Sequence, residues 1–239
     1  MKPTILRDQA TTPDGTPLTL HEHDGVFTIR VGGVELMSSR QHHSEERLAE
    51  VACAGLRGRP GPRVLIGGLG MGFTLRAALS HLDARATVVV VELMPAVVAW
   101  NHTPAYGLGA DALADPRVEL VEGDVAQVIR GGRGRFDAVI LDVDNGASGL
   151  SVGSNERLYG KQGLALARAS LRPGGCLAVW SSAEDPAFAD RLQRAGFVVT
   201  VEKARVHAGG GGWTTLFIGR AAHDPPSKPN AKSRGANHG

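Results

Sequence analysis

Residues Ile66-Gly67-Gly68-Leu69-Gly70-Met71-Gly72-Phe73 join an apolar run, Val64 to Gly67, to a helical stretch, Phe73 to Leu82. A strand that turns into a helix through so many glycines forms a βαβ beginning in which the backbone can bend sharply and let a ligand approach closely. Exposed N–H groups at such a turn can meet anionic or polar ribosyl groups. The spacing is G-x-G-x-G at positions 68, 70 and 72. It is not the dinucleotide pattern G-x-G-x-x-G, because position 73 is Phe.

The same strand-to-helix rhythm recurs along the chain. Thr87 to Glu92, Val118 to Val121, Phe136 to Leu141 (ending at Asp142) and Cys176 to Trp180 read as strands. Between them, Pro95 to Asn101, a short helix after Asp124, Leu158 to Leu171 and Pro186 to Ala195 read as helices. Pro95 suits a first helical position, and Arg172-Pro173-Gly174-Gly175 suits a helix stop. The strands are nearly continuous apolar runs, as strands covered on both faces should be. The fold class expected is therefore α/β, a doubly wound and mostly parallel sheet. Val198 to Arg205 and Trp213 to Arg220 read as a closing β-hairpin across Gly209 to Gly212.

Ahead of this block, Leu18 to Met37 is short and extended, with Gly32-Gly33 as a turn, and reads as a small antiparallel sheet. Ser44 to Leu56 reads as a helix, with Ser44 as N-cap and Glu45-Glu46 in the first turn. The expected organisation is a small β segment plus leading helix over 1–56, a Rossmann-like domain over 57–220, and a tail over 221–239. The tail is rich in Pro, Lys, Ser, Asn and Gly and reads as disordered.

Composition narrows the function. Of 239 residues, 42% are hydrophobic, enough for a packed core. The net charge of +2 gives no ground for a nucleic-acid partner. No apolar run is long enough to span a membrane, and no leader is visible at Met1-Lys2-Pro3-Thr4. Cys53 and Cys176 stand alone in apolar surroundings and read as reduced core residues. A cytoplasmic location is the expectation.

Three acids lie at successive strand ends. Glu92 ends the second strand, where an acid can accept both ribose hydroxyls. Asp124 follows the third, where an acid can accept from an adenine amino group. Asp142 ends the fourth. Acids at the carboxyl ends of neighbouring parallel strands face one crevice, the ligand site of open α/β sheets.

This layout resembles the class I S-adenosylmethionine-dependent methyltransferase fold and, more narrowly, the spermidine synthase family of aminopropyltransferases. Ile66-Gly67-Gly68 is similar to the opening of that family's glycine motif, and Glu92 to its ribose acid. Glu122-Gly123-Asp124 is similar to its adenine-side motif, and Phe136 to Asp142 to the strand leading to its catalytic aspartate. Leu158-Tyr159-Gly160-Lys161 through Gly175, and Trp213 before the last strand, continue the series. The resemblance implies nucleoside binding by Gly67, Gly68, Gly70, Gly72, Glu92 and Asp124. It implies catalysis by Asp142 with Asp144. The co-substrate implied is decarboxylated S-adenosylmethionine or S-adenosylmethionine, with no metal. The partner implied is a small-molecule amine acceptor, and analogy suggests a homodimer.

Three departures stand out. The family's Asp inside the glycine turn is replaced by Gly70. Its second Asp after the fourth strand falls close to Asn145, and Asp144 is one position out of register. Its Tyr followed by His-Glu is replaced by Gln41-His42-His43-Ser44-Glu45-Glu46. Those groups would hold an amine, so the nucleoside half looks kept and the amine half altered. Aminopropyl transfer is the first reading, since the position two before Gly68 is Ile66 and not the acid typical of methyltransferases. Methyl transfer, or a nucleoside-binding relative without catalysis, are the alternatives.

Other residues carry weaker signals. His42-His43 with Glu45 and Glu46, and His21 with His23, hint at metal ligands but lack a third ligand at ligand spacing, and read as solvated residues. Trp180 and Trp213 read equally as crevice walls or core. Lys228, Lys232 and Arg234 read as a solvated tail, not a nucleic-acid patch.

Overall fold

The computed structural model describes residues 3–143, 157–207 and 209–222. The expected tail beyond 222 lies outside them.

Two sheets form. The first is antiparallel, in the order β1 (Ile5–Thr11), β2 (Pro17–His23), β3 (Val26–Val31) and β4 (Val34–Ser38). It is larger than the sequence reading, which began at Leu18. β1 carries Asp8 and Gln9 in an otherwise exposed strand, so it lacks the apolar alternation that betrays β2 and β3. Leu18, Leu20, Phe27 and Ile29 put one face into the core. Trp100 ties the sheet down: its indole N–H donates to Asp8 at 2.7 Å, while its ring is buried.

The second sheet has seven strands, in the order β10 (Phe197–His207), β11 (Gly210–Ala221), β9 (Leu171–Ser181), β8 (Phe136–Leu141), β5 (Arg63–Gly67), β6 (Thr87–Glu92), β7 (Val118–Glu122). β5 to β9 run parallel, and β11 and β10 close the sheet as an antiparallel hairpin. Ala221 completes β11, one residue past the domain end read from sequence.

Successive residues of each central strand go to opposite faces. Val64, Ile66, Val88 and Val90 face α1 (His43–Cys53), α2 (Phe73–His81) and α3 (Pro95–His102). Leu65, Val89, Val139 and Leu141 face α5 (Val125–Arg130), α6 (Lys161–Ser170) and α7 (Pro186–Arg194). The short α4 (Ala110–Leu113) precedes β7. Both thiols are buried, and burial raises Cys53 to about 12 and Cys176 to about 11, as inert core residues require.

Two local expectations need correction. The last long helix stops at Ser170, and Leu171 opens β9. Pairing jumps from Phe136–Leu171 to Ala138–Cys176, so residues 172–175 bulge out of the ladder. Arg172 reaches back to the buried Asp137 at 2.7 Å, which holds the bulge in place. Ser44 is not an N-cap. His42 holds that position without a side-chain cap, and Ser44 is buried inside the first turn.

Candidate active site

β5 pairs with β6 on one side and β8 on the other, so the crevice opens where the chain order reverses. The glycine turn fills its floor. Gly68 has φ +90° and would drive a Cβ into the Asp142 carbonyl oxygen, so only glycine fits there. The Asp142 amide donates to the Gly67 carbonyl at 3.0 Å, joining the ends of β5 and β8.

The turn is held from outside as well. The Asn101 amide donates to Gly70 O at 2.7 Å and to Val97 O at 2.8 Å, and its oxygen accepts from the Gly109 amide at 2.8 Å. A fully buried Asn with these bonds is an anchor. Sequence reading passed over it because Val97-Val98-Ala99-Trp100-Asn101 reads as ordinary helix.

Glu92 sits at the end of β6 with only 7% exposure. One carboxylate oxygen accepts from the Leu69 amide and the other from the Met94 amide, both at 2.8 Å. Burial pushes its carboxyl above the ordinary value, and these amides pull back. Glu92 therefore already fixes the curve of the turn.

Asp124 caps α5, accepting from the Ala126 amide at 2.8 Å, and its other oxygen faces Arg157 at 3.4 Å. Gly72 has φ +80° at the N-cap of α2 and packs on Gly109. Gly67 lies against Val125, where a Cβ would come within 2.9 Å of its methyl group.

Asp142 follows β8, and its carboxylate accepts from the Thr74 hydroxyl at 2.6 Å. Burial raises its carboxyl to about 6, against the pull of that bond. Asp144 lies outside the described residues. Close enough for Asp142 to act on its charge lies Glu45 of α1, which sequence reading left among solvated residues. It is only 9% exposed. Burial first, and then the charge of Asp142, raise its carboxyl to about 8. Ser44 donates to it at 2.6 Å and accepts from the Trp180 indole at 3.1 Å. Trp180 packs against the core with its indole bonded to Ser44, whereas Trp213 is half-exposed and stacks with Arg205.

Gly70, where the resembled family has an Asp, has φ +53°. Its missing side chain's place is filled by Met37 of β4, whose sulfur would lie 3.0 Å from a Cβ there. His42 stacks on Phe73 at 4.4 Å between centroids, and both histidines face Glu46. His21 contacts Thr19 at 3.0 Å on the first sheet. Among the described residues, no helix is long and apolar enough to cross a membrane.

No family model matches the chain. Polyamine aminopropyltransferase 1 of Streptomyces coelicolor is 30% identical over 205 residues, covering 82% of this chain and 36% of that protein. A polyamine aminopropyltransferase of Leptospira biflexa is 31% identical over 156 residues, covering 64% of this chain and 51% of that one. The chain thus spans between about a third and a half of these relatives. A spermidine synthase solved with the transition-state analogue AdoDATO superposes with a TM-score of 0.74 at 19% identity, over 92% of this chain and 75% of that one. The spermidine synthase of Thermotoga maritima does so with a TM-score of 0.70, also at 19% identity, over 92% and 74%. By sequence the chain is a homologue of polyamine aminopropyltransferases, and its fold is similar to that of spermidine synthases.

Proposed function

We propose that the chain transfers an aminopropyl group from decarboxylated S-adenosylmethionine to a small amine. The observation that carries this reading is Asp142: a carboxylate at the end of β8, on the far side of the glycine turn from Glu92, with its carboxyl raised to about 6. Glu92 and the turn would take the ribose. Asp124 would serve the adenine side with whatever its cap and Arg157 leave free.

A sulfonium donor carries its own activation, so the protein's task is alignment and exclusion of water. The acceptor arrives as an ammonium. Asp142 orients it and takes its proton, directly or through water. The freed nitrogen lone pair forms the new C–N bond as the C–S bond breaks. The bonding pair returns to sulfur, which leaves as the neutral thioether of methylthioadenosine. Asp144, two residues beyond Asp142 in the sequence, is proposed as its helper.

A second reading, methyl transfer from S-adenosylmethionine, is favoured by Gly70 and Met37, which put a thioether where the family resemblance leads one to expect a carboxylate. Incubation with either donor and a panel of amines separates the two. Release of methylthioadenosine supports aminopropyl transfer, and release of S-adenosylhomocysteine supports methyl transfer. Release of neither, with nucleoside binding intact, refutes both. A homodimer in the cytoplasm remains the working expectation for its setting.

A further inference from the structure

We propose that Glu45 is the second carboxylate of the amine site, and that it and Asp142 together grip the ammonium group of the acceptor. This rests on the transferase reading and adds to it a residue from outside the Rossmann-like domain.

Three observations carry it. First, Glu45 comes from α1, in the N-terminal segment, yet its carboxylate is buried near enough to Asp142 to feel its charge. Glu46, the next residue, points outward to the two histidines and adds only a weaker push of the same sign. Second, the position is built. The Trp180 indole donates to Ser44, and Ser44 donates to Glu45, so one rotamer is fixed by side chains of β9 and α1. Asp142 is fixed likewise by Thr74 of α2. Third, among the described residues neither carboxylate forms an ion pair with Lys, Arg or His, although Asp137, Asp115 and Asp111 all do.

A buried acid beside a half-buried one, with no cation between them, repels it and the pair holds a proton to relieve the repulsion. An ammonium reverses that balance. It carries three N–H donors and one positive charge, enough to bond both carboxylates at once. The chemical class that fits is a primary alkylammonium, with its chain running out of the crevice. The pair would also explain how nitrogen is deprotonated: Glu45 keeps the charge company while Asp142 accepts the proton.

The test is calorimetry of 1,4-diaminobutane and 1,3-diaminopropane binding to protein saturated with methylthioadenosine, for wild type and Glu45→Gln. Loss of one charge-assisted bond should weaken amine binding by about 10- to 100-fold. Methylthioadenosine affinity should stay unchanged. Equal amine affinity in wild type and variant overturns the proposal, as does a wild type that binds neither amine. If Glu45→Gln fails to fold, the wild type alone decides. Titration at pH 7 in two buffers of different ionisation enthalpy should show about one proton released per amine bound, because the grip expels the proton that the empty pair holds. No proton release overturns the proposal. The transferase reading stands or falls separately, on whether wild type releases methylthioadenosine.

Discussion

The Thr74 hydroxyl donates to the Asp142 carboxylate at 2.6 Å, so the second residue of α2 holds the acid that ends β8. The bond spans the glycine turn and couples the two strands flanking the crevice. It also lowers a carboxyl that burial raises, which places Asp142 where it can exchange a proton near neutral pH.

Asp142→Asn should lower turnover by roughly 10²–10⁴, the range for losing a general base, with donor affinity little changed. In the wild type, activity should rise with pH through about 6 as the carboxyl ionises. Thr74→Val removes a bond that favours the ionised form, so that limb of the pH–rate profile should move to higher pH. A profile that stays in place in Thr74→Val would show that the limb belongs to another group.

Glu45 makes stability itself depend on pH. Its carboxyl is raised from the ordinary 4.5 to about 8, so the folded state prefers it protonated. That preference favours folding fully below 4.5 and is lost as pH rises towards 8. Glu45→Gln has no such loss. Its melting temperature relative to wild type should climb between pH 5 and pH 8.5, by a few degrees if the effect at high pH is about 1–2 kcal/mol. Parallel melting curves across that range would contradict a buried, strained carboxyl.

Glu92→Ala should cost adenosyl ligands on the order of 2–4 kcal/mol, since two charge-assisted bonds to ribose are lost. It should also destabilise the empty protein by about 1–3 kcal/mol, because the Leu69 and Met94 amides lose their acceptor. Calorimetry and thermal unfolding check the two separately. Unchanged affinity for every adenosyl ligand would remove Glu92 from the site.

Gly70→Asp should be destabilising alone, because the new side chain meets the end of Met37. The left-handed backbone at φ +53° strains any side chain, though Asp less than most, and the flexible end of Met37 adds a further cost by having to shift. In a Met37→Ala background the cost should fall, with a coupling of about 0.5–3 kcal/mol in the double-mutant cycle. The double variant should also gain affinity for the aminopropyl donor over S-adenosylmethionine. Additive destabilisation would show that Met37 does not occupy that space.

The middle of the large sheet was legible because β5, β6 and β8 are nearly continuous apolar runs and each ends in a turn or an acid. Glu92 and Asp142 were legible for the same reason: strand ends are fixed points, and a carboxylate there has one place to face. Glu45 was not. In Ser44-Glu45-Glu46 the two acids look alike, and only the packing of α1 against α2 and β9 buries one and exposes the other. Met37 was hidden differently, since it reads as the last apolar residue of a strand and its contact with Gly70 spans two sheets.

Glu45 and Met37 both precede the Rossmann-like domain, while Glu92, Asp124 and the glycine turn lie within it. On the proposed reading the grip on the amine is therefore shared between a leading helix and the end of β8, and the leading segment is fastened to the rest of the chain where Trp100 clasps Asp8. Such a division lets one half drift while the other is held. A change confined to Glu45 would alter that grip while leaving untouched Asp142 and the turn proposed to grasp the adenosyl group.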